Sequence, residues 1–212
     1  MSRLLDVGLE ELTEILSRMG RAAKNIVRTS ITGFMEGRDL KDQASELSEM
    51  LAAMTVSVEE KAFELIVKYQ PVASDMRLIN SYMKIAYDFE RYGRYALDIS
   101  SIQRKFSASR RCVYSEDIIE KIMEKAMQMV HASVHALREN DGEMAKSLAE
   151  TEKEVDKLYS SYLDELSRAP SETRCIVCNA LVVTYLERTA DHAIYIGEEI
   201  CYIATGKKIH LG

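Results

Sequence analysis

The sequence contains one helical motif twice, at a constant spacing of 97 residues. The two copies, 87–99 and 184–196, each place a Glu-Arg pair among apolar residues that recur with helical periodicity. An internal repeat that involves both halves of a chain predicts two similar structural units. The fold must therefore accommodate two helical units of about equal size, related by an internal pseudo-twofold repeat.

Long amphipathic stretches account for the rest of each half, which indicates helices throughout. Only two prolines interrupt them, Pro71 and Pro170, at equivalent places in the two halves. Ser115 and Ser171 are candidate N-caps because a serine side chain can accept from a free first-turn amide. The helices predicted from the pattern are 4–36, 41–69, 74–106, 115–139, 143–168 and 172–205.

Short connections between successive helices favour antiparallel neighbours. The predicted fold class is therefore all-α, with two tandem antiparallel three-helix bundles packed side by side or end to end. The predicted domains are a first bundle at 1–106, a linker at 107–114 and a second bundle at 115–212.

Composition narrows the functional classes. The net charge is −6 and no run of Lys or Arg exceeds two residues, which argues against nucleic-acid binding. No apolar stretch approaches the length of about 18 residues expected of a membrane-spanning helix. Four cysteines in a chain with an ample core predict reduced thiols and a cytoplasmic protein, and Cys175-x-x-Cys178 alone is weak evidence for a redox or zinc site.

The last helix carries an acidic stripe beside its apolar face, formed by Glu187, Asp191 and Glu198. The preceding helix carries Glu152 and Asp156 at i,i+4 on the edge of its own apolar seam. If these two helices are antiparallel neighbours, the carboxylates face each other and repel unless a cation binds or their pKa values rise. An all-oxygen cluster favours hard cations such as Mg²⁺, Ca²⁺, Mn²⁺ or ferric iron.

One simpler interpretation of the acidic stripe remains open. Acidic residues at a spacing of four also occur on ordinary solvated helix faces, and the chain would then be a metal-free helical scaffold. The pair His131 and His135 has metal-ligand spacing but no acidic or Cys partner on its helix, so we expect no metal there.

The first half lacks an equivalent stripe. Glu90 is followed at i+4 by Arg94, a favourable helical ion pair, where the second half has Asp191. The positions equivalent to Glu152 and Asp156 are Ser48 and Ala52. We therefore predict that only the C-terminal bundle binds metal.

The whole chain, roughly residues 5–206, resembles the PhoU family of phosphate uptake regulators. The resemblance lies in four segments: Gln-Pro-Val-Ala-Ser-Asp-Met-Arg-Leu-Ile at 70–79, Asp-Phe-Glu-Arg-Tyr-Gly at 88–93, Glu-Lys-Glu-Val-Asp-Lys-Leu-Tyr at 152–159 and Glu-Arg-Thr-Ala-Asp-His-Ala at 187–193. It implies a cytoplasmic, non-enzymatic negative regulator that docks on the ATPase of the phosphate-specific ABC transporter and on a phosphate-sensing histidine kinase, and that usually dimerises. Such a protein would meet the membrane only through its partners.

The resemblance also implies a multinuclear metal cluster, with iron, manganese, magnesium or zinc as candidate metals. Carried over to this sequence, the ligands are Glu152, Asp156, Glu187, Asp191 and Glu198. Arg94, Ser48 and Ala52 depart from the family pattern in the first half. Two alternatives remain: an accessory subunit of another phosphate or ion transporter, and a metal-dependent hydrolase, for which Arg188 would be the nearest phosphate-clamping cation.

Overall fold

The computed structural model describes residues 4–107 and 113–212, and these residues form six α-helices without a β-strand. Each observed helix begins and ends within one residue of its predicted bounds, so the all-α prediction is confirmed. The six helices are α1 (Leu4–Glu36), α2 (Lys41–Tyr69), α3 (Ala73–Ser107), α4 (Glu116–Glu139), α5 (Gly142–Ser167) and α6 (Thr173–Thr205).

Local backbone chemistry explains the helix ends. Gly37 and Gly206 adopt positive φ angles of 69° and 73°, the left-handed conformation that glycine accepts without strain. Gln70 closes α2 in the same region, where the following Pro71 prevents the helix from continuing. Asp141 caps α5 by accepting from two first-turn amides.

Of the two serine caps predicted from the sequence, Ser115 has the predicted position without the capping bond, and Ser171 is wrong. Ser115 does occupy the N-cap position of α4, but its φ of 46° directs the side chain elsewhere, and Oγ donates to Oε2 of Glu165 over 3.1 Å. Ser171 lies outside the cap altogether, since Glu172 is the N-cap residue of α6.

The two bundles, α1–α3 and α4–α6, lie side by side. Helices α3 and α6 pack antiparallel along their length, from the Ser81–Glu199 hydrogen bond at one end to the bond between Arg174 and the Lys105 carbonyl at the other. Helices α1 and α4 also touch. A single hydrophobic core therefore runs through both bundles.

The pseudo-twofold axis passes between α3 and α6. Tyr95 and His192, which are 97 residues apart and occupy equivalent repeat positions, hydrogen-bond to each other across it at 3.2 Å. The repeat seen in the sequence therefore places equivalent residues in direct contact.

The structure describes three of the four cysteines. Cys178 and Cys201 are buried and form no disulfide, whereas Cys175 is disulfide-bonded, so the expectation of reduced thiols is wrong at Cys175. Cys112 and most of the predicted linker lie outside the described residues.

Over the described ranges, no helix combines the length and apolarity needed to cross a membrane.

Candidate metal-binding groove

Helices α5 and α6 pack against each other and bring the predicted acidic residues to a common groove. The i,i+4 spacing places Glu152 beside Asp156 on α5 and Glu187 beside Asp191 on α6. Leu148 and Val155 of α5 and Leu186 and Ala190 of α6 are buried, so the carboxylates lie at the edge of the apolar contact. The arrangement predicted from the two stripes is therefore present.

The carboxylates of the groove influence one another electrostatically. Burial, reinforced by the negative charge of Asp191, raises the pKa of Glu187 from its ordinary value of 4.5 to about 7. Burial also raises the pKa of Glu152, with Asp156 and Asp191 adding to the effect. The pKa of Asp191 rises through burial and the charge of Asp156. The groove therefore concentrates negative charge that water solvates poorly.

Arg188 partly offsets the negative charge of the groove. Its guanidinium lies 3.7 Å from Glu187 and 4.0 Å from Asp191, and its side chain is exposed. Its helical-wheel position points away from the stripe, but a long side chain can bend back toward neighbouring carboxylates. At these distances it screens the stripe without forming a tight pair.

Glu198 lies farther along the groove, where the C-terminal segment folds back after Gly206. Its Oε1 accepts the backbone amide of Leu211 at 2.9 Å and lies 3.6 Å from Nδ1 of His210. A cavity of about 350 Å³ opens here, and it is lined by Glu152, Asp191, Ile194, Tyr195, Glu198, His210 and Gly212.

The side chains do not form a finished coordination shell. Across the described ranges, no three His, Cys, Asp or Glu side chains make a group that could hold a metal ion. The donor chemistry of the groove fits a hard cation, because every predicted ligand is a carboxylate. The side chains would have to converge further to bind one.

The first bundle differs at the corresponding place. Arg94 lies 4.0 Å from Glu90, so a cation of the protein occupies the position of the missing acid. Ser48 is buried beside Gly93, the residue that precedes Arg94, as the alignment of the two halves predicts. This packing leaves the first bundle without the carboxylate pair that α5 provides.

Sequence reasoning missed a buried polar cluster at the junction of the bundles. The sequence placed His192 on a different face from Asp191, and it lies against α3, where Nδ1 contacts Oδ1 of Asp88 at 2.7 Å. Tyr95 bonds the other ring nitrogen and in turn accepts from Arg91 at 2.8 Å. The spacing of 97 residues between Tyr95 and His192 was the signal that could have indicated this contact.

A cleft of about 530 Å³ adjoins this cluster between α3 and α6. Tyr195 and Glu198 line both this cleft and the cavity beside the groove, so the two spaces are adjacent. Asp88 also lines the cleft, so the junction cluster lies beside it. The lining residues are Glu59, Asn80, Met83, Lys84, Tyr87, Asp88, Tyr195, Glu198 and Glu199.

Comparison with known proteins finds relatives along nearly the full length of the chain. Two curated relatives, from Pseudomonas putida and Rhizobium meliloti, are each named a phosphate-specific transport system accessory protein PhoU homolog. The first is 30% identical over 100% of this chain and 85% of its own length, and the second is 31% identical over 95% and 87%.

Solved structures of PhoU proteins share the fold of this chain. The crystal structure of PhoU from Pseudomonas aeruginosa superposes with a TM-score of 0.91 at 25% identity, covering 95% of this chain and 99% of that one. PhoU from Streptococcus pneumoniae, at 19% identity, shares the fold with a TM-score of 0.77 over 98% and 100% of the two chains. The PhoU domain model matches twice, at residues 16–102 and 119–200, and the chain therefore belongs to the PhoU family.

Proposed function

We propose that this chain is a cytoplasmic negative regulator of phosphate uptake and phosphate signalling that acts by binding other proteins, without catalysis of its own. The observation that carries the proposal is the similarity along the full chain to proteins named as accessory to the phosphate-specific transport system. A regulator that docks on a transporter needs binding surfaces, and the two bundles offer long helical faces for this purpose.

The partners we propose are the ATPase of the phosphate-specific ABC transporter and a phosphate-sensing histidine kinase. The chain would then meet the membrane only through these proteins, and it would act as a homodimer. Deletion of the gene should raise phosphate uptake by phosphate-replete cells, and the purified chain should bind the purified ATPase. Unchanged uptake together with binding to a different permease would favour an accessory subunit of another transporter.

We propose that the acidic groove of the C-terminal bundle holds a metal cluster. The raised pKa values of Glu152 and Glu187 support this proposal, because burial and then neighbouring negative charge raise them, and a bound cation would offset both effects. When bound, the metal would supply positive charge and open coordination positions. The carboxylates that would hold it are Glu152, Asp156, Glu187, Asp191 and Glu198.

The metal proposal is tested by elemental analysis of protein purified without chelator or affinity tag. Wild type should retain iron, manganese, magnesium or zinc, and Asp191→Asn should lose it because the groove loses a ligand without a large change in side-chain volume. Arg94→Ala is the matched control at the equivalent position of the first bundle and should leave the metal content unchanged.

A different result would favour the metal-free scaffold. If neither wild type nor Asp191→Asn retains metal after reconstitution with each candidate ion, the groove is a solvated acidic surface. Regulation would then depend on protein docking alone. Metal that is retained in Asp191→Asn would instead place the cluster outside this groove.

A further inference from the structure

A basic cleft lies between α1 and α4, where the two bundles make their second contact. Its volume is about 290 Å³, and none of the described residues that line it is acidic. The lining consists of Leu16, Ser17, Arg21, Lys24, His131, Val134, His135, Leu137 and Arg138. In a chain with a net charge of −6, this concentration of basic groups needs its own explanation.

The cleft is built from two stripes with the same spacing. Helix α1 contributes Ser17, Arg21 and Lys24 at i, i+4 and i+7, and these positions share one helix face. Helix α4 contributes His131, His135 and Arg138 at the same spacing. Close packing of Gly20 against Val134 sets the two helices beside each other, so the two stripes flank one space.

Acidic neighbours neutralise this charge only partly. Glu14 lies 3.6 Å from Arg21, with both side chains mostly exposed, and Glu139 pairs with Arg138 at 2.8 Å. Exposed pairs of this kind are weak and leave the cations available. Burial together with the positive charges of Lys24 and Arg28 lowers the pKa of His131, as expected where like charges crowd together.

The fold itself does not require a basic lining. When α1 and α4 are aligned on their buried residues, Leu16 and Ala23 of α1 correspond to Ile119 and Ala126 of α4. In that alignment Glu124 takes the position of Arg21. Because the same scaffold accepts an acid there, the basic residues reflect a requirement other than packing.

We propose that this cleft binds a phosphate-type oxyanion, with free inorganic phosphate as its source. Guanidinium groups of Arg21 and Arg138 and the ammonium of Lys24 supply the charge-assisted donors that such anions prefer. The Ser17 hydroxyl can donate as well. An anion here would contact both bundles at once, and the site stands whether or not the acidic groove binds metal.

The test uses the full chain and inorganic phosphate, with histidine C2–H resonances as the readout. The chain has four histidines, so each titration can be followed separately. Millimolar phosphate should raise the pKa of His131, because a nearby anion favours the imidazolium form, and it should also move the C2–H resonance of His135. His192 and His210, which lie elsewhere, should not respond.

Matched variants test whether phosphate binds in this cleft. Arg21→Gln and Lys24→Gln should each weaken phosphate binding about tenfold, since each removes one charged hydrogen-bond donor. Arg18→Gln is the control, because Arg18 is an exposed arginine of the same helix that does not line the cleft. Sulfate should compete with phosphate.

Several outcomes would overturn the proposal. Equal histidine shifts with sodium chloride at matched ionic strength would show general screening, and equal loss of binding in Arg18→Gln would show that the cleft is not the site. Absence of any shift would exclude phosphate binding. Binding to phosphatidylglycerol vesicles without binding to free phosphate would assign the basic surface to lipid headgroups instead.

Discussion

Asp88 and His192 form a buried polar contact between the two bundles, with 2.7 Å between Oδ1 and Nδ1. Only 5% of Asp88 and 8% of His192 are exposed, so water has little access to either partner. The pair joins α3 of the first bundle to α6 of the second, one residue from Asp191. A change in the acidic groove therefore has a short path to the bundle interface.

We expect His192→Leu to lower the free energy of unfolding by about 2–4 kcal/mol, because it leaves the Asp88 carboxylate buried without this partner. Urea unfolding followed by circular dichroism measures the loss. The double variant Asp88→Leu with His192→Leu should recover part of it. A single-variant loss below about 1 kcal/mol would show that the pair is not a structural link.

Stability of the metal-free protein should fall as the pH rises from about 4.5 to about 7. The folded-state pKa of Glu187 is raised above its ordinary value, so folding favours the protonated carboxyl. This contribution is complete below the ordinary value and is lost as the pH passes the raised one. Glu152 and Asp191 shift in the same direction.

Thermal unfolding in the presence of a chelator, measured across this pH range, gives the size of the effect. Glu187→Gln cannot ionise and should remove about 1–3 kcal/mol of the pH dependence. Glu150→Gln, an exposed acid on α5, should not change the profile. A wild-type profile that rises with pH in this interval would contradict the prediction.

Gly8→Ala should destabilise the first bundle by about 1–3 kcal/mol. A Cβ at this position would overlap Cδ2 of Leu65, and Leu65 is buried. The matched substitution Gly142→Ala meets its nearest atom at an ordinary 3.5 Å. It should be neutral or stabilise by up to about 1 kcal/mol through higher helix propensity. Equal effects of the two substitutions in chemical denaturation would contradict the packing at Gly8.

Asp141→Ala should cost about 1 kcal/mol in chemical denaturation, because Oδ1 accepts from the amides of Glu143 and Met144 at 3.0 Å each. Asp141→Asn, which keeps an acceptor oxygen, should restore most of the loss. If Asp141→Ala is neutral, water replaces the cap without cost.

The sequence predicted the helices well because their signals are local. Amphipathic periodicity, Pro71 and the Asn140–Gly142 turn each act within a few residues, and no strand-forming pattern competes with them. Ser171 is not the cap because α6 begins one residue later than predicted, and Ser115 makes no capping bond because its backbone is left-handed. At Ser115, the nearby Glu165 also offers the hydroxyl a different partner.

The sequence predicted which residues belong to the acidic groove, but it did not predict how their side chains contact one another. Spacing identified Glu152, Asp156, Glu187 and Asp191, because residues four apart share a helix face. The wheel placed Arg188 off the stripe, and it did not show that Glu198 is held by the amide of Leu211. Those contacts depend on side-chain reach and on the path of the chain after Gly206.

The sequence by itself therefore determined the six helices, the internal repeat and the difference between Arg94 and Asp191, since each of these is a pattern along one chain segment. Only the tertiary structure decided that α3 and α6 pack side by side and that Asp88 meets His192. It also decided that the stripes of α1 and α4 enclose one basic cleft. Contacts between distant segments depend on how two helical faces fit together, and helical periodicity in one segment carries no information about the register of another.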